Sequence, residues 1–211
     1  MSTMISTVSS SMNACAPRRA LRHIPLAGIA PQAWRNGGGR TRELLSWPSG
    51  EGWLLRISEA DIEVDGPFSD YPGVERWFAV IEGAGVSLTF ADGARRLMPG
   101  DPPLCFDGAA APHGRLLAGS TRDLNLMCRH GRGAMRQAQP EIAWDEAYTM
   151  RGLFTAVAGL WSDANEHIAL PASTLLWDAA TGPTAWTFEP AASGPVVAGW
   201  WLGFTPQGSR P

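Results

Sequence analysis

Glycine and proline interrupt this chain so often that long helices have no room to form. There are 24 glycines and 17 prolines, about a fifth of the 211 residues, and both residue types break helices. The apolar runs between them are short and end at Gly, Pro, Asp or Asn, the pattern of strands joined by turns. Hydrophobic residues make up 45% and charged residues 18%, against roughly 25% charged in ordinary soluble domains. Such a chain can build a core and is too apolar to be intrinsically disordered. Its 10 tryptophans supply large rigid surfaces for a core or a pocket.

Alternation predicts strands over Leu21–Leu26, Thr41–Trp47, Trp53–Ala60, Glu75–Glu82, Gly85–Phe90, Arg95–Met98, Leu104–Phe106, Arg115–Ala118 and Asp123–Arg129. Weaker candidates follow at Glu141–Trp144, Gly152–Ala158, His167–Leu170, Ser173–Trp177, Thr184–Phe188 and Val196–Phe204. The step Asp92-Gly93 marks a hairpin, and a short helical interruption is expected near Pro31–Trp34. Strands recurring every eight to twelve residues or so point to an all-β sandwich or barrel. Residues 1–17 read as a disordered tail, and residues 18–133 and 134–211 as two β halves packed in one unit.

Several function classes are excluded or disfavoured. All 17 basic residues are arginine, so a lysine Schiff base, a phosphate-loop lysine and a lysine general base are impossible. A net charge of −3 gives no general attraction to nucleic acid. The residues before Arg18 lack the basic start and apolar run of a secretory signal. No apolar window reaches the ~18 residues of a membrane span. A cytoplasmic protein that contacts neither membrane nor nucleic acid is the resulting expectation. The 3 cysteines contain no CxxC pair, and Cys105 and Cys128 lie in apolar stretches that suggest buried thiols. The 4 histidines are scattered, and no G-x-S-x-G elbow exists.

Two segments concentrate the unusual chemistry. In Trp34-Arg35-Asn36-Gly37-Gly38-Gly39-Arg40-Thr41-Arg42-Glu43-Leu44, successive glycines allow positive φ and close approach of a ligand or another chain. The plain alternative is a glycine-rich turn into a strand. In Asp65-Gly66-Pro67-Phe68-Ser69-Asp70-Tyr71-Pro72-Gly73-Val74-Glu75-Arg76, two proline–glycine steps fix where Phe68 and Ser69 point. Strand alternation puts Arg76, Phe78 and Val80 on one face, Arg56 and Ser58 on another opposite Trp53, Leu55 and Ile57, and Asp123, Asn125 and Met127 opposite Leu124, Leu126 and Cys128.

WRNGGGRTREL, DGPFSDYPGVER, the VIEGAG turn and RDLNLM, in that order between Trp34 and Arg132, resemble the HutD/Ves family of cupin-like bacterial proteins. That resemblance implies a cupin-like, bicupin-type arrangement of two β-barrel or sandwich halves and an association with histidine utilisation. Metal-binding cupins carry His-x-His and Glu before a strand ending in Glu-Gly. Aligned on Glu82-Gly83, this sequence has Asp70, Pro72 and Arg76 at those positions, and His113 misses the later His position. A divalent cation needs three or more convergent ligands, so no metal and no cofactor are expected.

A guanidinium in a barrel mouth needs a carboxylate, supplied by Asp123 or Glu43 or by a ligand. The leading expectation is therefore a binding protein for a small carboxylate metabolite, with urocanate, formiminoglutamate and formylglutamate as candidates implied by the family. Arg56 and Arg76 would clamp the carboxylate; Asn36, Ser58 and Asn125 would read its polar end; Trp34 and Phe68 would close the mouth, with Asp123 beside them. The alternative is a metal-independent isomerase or lyase using Asp123 or Glu43 as proton shuttle. A third is a partner-binding module that pairs through exposed sheet edges.

Overall fold

The structure, a computed structural model, describes residues 21–179, 184–192 and 197–208; the expected tail at 1–17 lies outside them. Among the described residues the chain forms no α-helix and the following strands. The N-terminal part gives β1 (Arg22–Pro25), β2 (Gln32–Ala33), β3 (Gly39–Trp47), β4 (Leu55–Ile62), β5 (Gly66–Pro67), β6 (Glu75–Gly83), β7 (Val86–Phe90), β8 (Gly93–Leu97) and β9 (Leu104–Asp107). There follow β10 (His113–Leu116), β11 (Thr121–Cys128), β12 (Gly131–Gln137), β13 (Met150–Thr155), β14 (Gly159–Ser162), β15 (His167–Leu170), β16 (Thr174–Asp178), β17 (Thr187–Pro190) and β18 (Gly199–Pro206).

These strands build four antiparallel sheets, ordered β2-β3-β4-β11-β6-β9, β5-β10-β7-β8, β1-β16-β13-β18-β12 and β15-β14-β17. The fold is all-β and cupin-like, with open sheets rather than a closed barrel. Side-chain alternation dictates the stacking. In β4 and β11, Leu55, Ile57, Leu124 and Leu126 turn to one face and pack against Met150, Phe154, Trp200, Leu202 and Phe204 of the five-stranded sheet. The opposite face of the six-stranded sheet packs Ile62, Phe78 and Val80 against Val86, Leu88 and Leu97 of the four-stranded sheet. Beyond the five-stranded sheet, Leu153, Leu176 and Trp201 meet Trp161 and Phe188 of the three-stranded one. The two large sheets form the centre of a four-layer stack and are buried on both faces, which explains the near-continuous apolar runs of β13, β16 and β18.

Local expectations differ from the structure at several points. The Pro31–Trp34 segment is not helical; Gln32 and Ala33 pair with Thr41 and Arg40 across the glycine turn as an edge strand. Glu141–Trp144 forms no strand, because Glu141 adopts φ 64°, and only an isolated bridge joins Trp144 to Trp186. Trp53 precedes β4 and packs edge-on to Tyr71 at 6.5 Å instead of joining the apolar layer. Cys128 is buried, but Cys105 is exposed, on β9 at the edge of the six-stranded sheet. The expected division at 133/134 falls inside β12, and β1, from the N-terminal part, pairs with β16 of the C-terminal sheet.

Candidate functional site

The site lies between the six- and four-stranded sheets, on the face of β4, β6 and β11 opposite the central core. Antiparallel register puts Met127 opposite both Arg56 and Arg76, Asn125 opposite Ser58 and Phe78, and Asp123 opposite Ala60 and Val80. Three strands thereby bring their polar positions into one patch. Its rim is the glycine turn. The Trp34 amide donates to the Gly39 carbonyl at 2.9 Å, and the Gly37 amide to the Trp34 carbonyl at 3.0 Å. Asn36 Oδ1 accepts from the Gly38 amide at 3.0 Å. Gly37 needs its glycine for φ +70°, and Gly39 for space: a Cβ there would sit 2.2 Å from the Asp61 carbonyl oxygen and 3.2 Å from the Trp34 ring. That ring is held by a hydrogen bond from Nε1 to Thr41 Oγ1 at 2.7 Å.

The resulting cavity is about 540 Å³, within the range of small-molecule sites. Trp34, Asn36, Arg56, Ser58, Phe68, Arg76, Asp123 and Asn125 all line it. Glu43 does not line it, but its Oε2 accepts from Arg56 Nε at 2.8 Å. Phe68, expected at the mouth, is only 8% exposed; its ring lies 4.7 Å from the guanidinium carbon of Arg76 and 5.7 Å from the Phe78 ring. It is a wall over the cation, not a cover. Tyr71, Thr41 and Ser69 also line the cavity and were not among the expected site residues. Tyr71 was detectable only as an aromatic in the proline–glycine loop; its hydroxyl sits 3.5 Å from Arg56 Nη1.

The two arginines differ. Arg56 is half-buried and neutralised by Glu43. Arg76 is 7% exposed and, among the described residues, has no carboxylate within ion-pair distance. Its Nε and Nη2 donate to Asn125 Oδ1 at 2.9 and 2.6 Å, which leaves Nη1 without a hydrogen bond among the described residues. Asn125 Nδ2 in turn donates to Asp123 Oδ1. Asn125 and Asp123 are 2% and 1% exposed. Burial lowers the Arg76 pKa to about 10, an effect the nearby Asp123 charge opposes. Burial also pushes the Asp123 carboxyl up to about 7, opposed by Arg76 and by the Asn125 hydrogen bond. Asp123 and Glu43 share no hydrogen bond, so they do not form a paired acid and base in this structure.

The donor set does not suit a divalent cation. One carboxylate, from Asp123, and three guanidinium groups, from Arg35, Arg56 and Arg76, line the cavity, and guanidinium groups repel metal ions. His23, His113, His130 and His167 are all exposed and line no part of the cavity. Among the described residues no group of three or more His, Cys, Asp or Glu side chains is arranged to hold a metal. None of their helices is long and apolar enough to cross a membrane.

The HutD family model matches residues 27–194, well over half of the chain. This chain belongs to the HutD family. An uncharacterized 21.2 kDa protein in the hutC 3′ region of Pseudomonas putida is 42% identical over 146 residues, 67% of this chain and 68% of the relative. Protein Ves of Citrobacter koseri is 30% identical over 130 residues, 61% of this chain and 68% of that protein. Among solved structures, HutD from Pseudomonas fluorescens SBW25 in a formate condition superposes with a TM-score of 0.76 at 25% identity, covering 90% of this chain and 100% of that one. Bacillus subtilis oxalate decarboxylase gives a TM-score of 0.57 at 9% identity over 88% of this chain and 77% of that one, a likeness of fold alone.

Proposed function

We propose that this HutD-family protein binds a small carboxylate metabolite in the cavity beneath the glycine turn and acts in the regulation of histidine utilisation. One observation carries the reading: Arg76 is buried over aromatic rings and, among the described residues, has no carboxylate in contact and keeps Nη1 free beside an open cavity. A buried cation with no carboxylate in direct contact is costly, and a ligand carboxylate on that edge forms charge-assisted hydrogen bonds worth roughly 1.5–3 kcal/mol each. Asn36, Ser58 and Tyr71 offer neutral partners for the rest of the ligand. Formate, named for the condition of the Pseudomonas fluorescens HutD structure, is the smallest such acid. The pathway link rests on the family and on the relative from the hutC 3′ region.

Thermal shift with urocanate, formiminoglutamate and formylglutamate tests the proposal. A true ligand at a hundred times its Kd stabilises by about 2.7 kcal/mol, and Arg76→Met should abolish that gain while remaining folded. Absence of any shift with all three acids rejects the reading. A second reading, a metal-independent isomerase or lyase acting on a similar acid, draws on Asp123, whose carboxyl near 7 suits it to carry a proton at neutral pH. Turnover of one of these acids that disappears in Asp123→Asn would favour it. Glu43 is tied to Arg56 and serves there as a positioning partner.

A further inference from the structure

The buried charges of the cavity balance before any anion arrives; Arg35, which also lines it, is exposed on the rim, where solvent screens its charge. Glu43 cancels Arg56 at 2.8 Å. Arg76 and ionised Asp123 cancel each other through the shared Asn125 amide. An entering carboxylate would therefore leave one uncompensated negative charge among the buried groups beside Phe68, where desolvation is costly.

The protein offers one place to relieve it. Asp123 uses only Oδ1 in its hydrogen bond with Asn125; Oδ2 makes no hydrogen bond among the described residues. The charged groups around it come from every neighbouring element. Arg76 lies on β6, Arg56 on β4 and Glu43 on β3, with Tyr71 in the loop before β6 and Arg35 exposed in the glycine turn. Glu59 and Asp61 act from the opposite face of β4, where Arg42 and Arg122 hold them. Both of these acids oppose ionisation of Asp123, as burial does. No histidine takes part.

We propose that the cavity takes up a singly charged carboxylate together with one proton, and that the proton goes to Oδ2 of Asp123. This rests on the carboxylate-binding reading and deepens it. Protonation turns Oδ2 from an acceptor that repels the ligand into an O–H donor toward it. Nothing else is consumed: solvent supplies the proton and ligand release returns it. Arg76 keeps its charge throughout, because its pKa near 10 lies above the working range.

The experiment measures the Kd of formate from pH 6 to 9 by tryptophan fluorescence, using the Trp34 ring on the cavity rim as reporter. Kd should be flat up to about pH 7 and then rise tenfold per pH unit, the slope of one linked proton. In weakly buffered solution at pH 8, formate should draw nearly one proton per molecule bound. In Asp123→Asn the ratio of Kd at pH 9 to that at pH 6 should fall to near one. Formate binding with a flat Kd and no proton uptake overturns this inference and leaves the binding reading standing. A slope that persists in folded Asp123→Asn also overturns it, since the proton then goes elsewhere. If that variant does not fold, the wild-type slope and proton count decide alone. Failure of formate and all three larger acids to bind at any pH removes both proposals.

Discussion

Arg76 and Asp123 show how little of a residue's chemistry is set by its type. Side-chain alternation alone predicts that Arg56 shares a face of its strand with Ser58, and Asp123 with Asn125; the register of β4, β11 and β6 brings these faces together with Arg76. Which arginine would be neutralised is not written in that pattern, because it depends on Glu43 lying beside Arg56 and on Asn125 standing between Arg76 and Asp123. Tyr71 and Thr41 escaped notice for the same reason: their roles exist only through cross-strand or loop partners. Asp123 also predicts a pH dependence. Its folded pKa, about 7, is raised above the ordinary 3.8, so the folded state favours the protonated form. That contribution to stability is complete below the unfolded pKa and is lost as pH rises through the folded one, at about 1.4 kcal/mol for each pH unit between them. Urea denaturation of the ligand-free protein should give decreasing stability from pH 4 to pH 7, and Asp123→Asn should flatten that decline.

At the scale of elements, β3 and the turn before it carry the site's rim. The register shift between Glu43 and Leu45 lets Glu43 face Arg56 while Leu44 and Leu45 both enter the central core. The triple glycine was legible as a special turn, and the structure separates its parts: Gly37 supplies a positive φ, while Gly39 allows Trp34 and the β4 backbone to close on each other. Gly39→Ala should therefore cost roughly 1–3 kcal/mol, the usual penalty for overpacking, read as a lower urea midpoint. It should also weaken carboxylate binding, because the Trp34 ring must move. Gly93→Ala would be a poor control, since its φ of 131° introduces strain of its own; Arg95→Ala, an exposed change on β8, should be nearly neutral. The strands missed in the sequence, β2, β5, β12 and β14, are short or lack regular alternation. Pairing with a neighbour defines them, not their own composition.

At the scale of the molecule, the two large sheets share one core. Leu126 of β11 and Leu202 of β18 are both fully buried in it, although they come from opposite halves of the sequence. β1 crosses from the N-terminal part into the five-stranded sheet, and β12 contacts β11 and β6 besides pairing with β18. Leu126→Ala and Leu202→Ala should each cost about 2–5 kcal/mol. Each should lower a single transition seen identically by far-ultraviolet circular dichroism and by the tryptophans of the C-terminal part. Two separated transitions, with only one displaced by each substitution, would show that the halves unfold independently.

The sequence alone determined the all-β class, the family, the absence of lysine chemistry and the face on which each polar strand residue lies. Those properties follow from composition, from short motifs and from a two-residue period, all of which are local. Tertiary structure decided which charges meet, that Phe68 is a wall and not a cover, and that Arg76 has no carboxylate in contact among the described residues. Those depend on register, sheet stacking and burial between residues far apart in sequence, such as Arg76 and Asn125 at 49 positions and Arg122 and Asp61 at 61, and no local period encodes such distances.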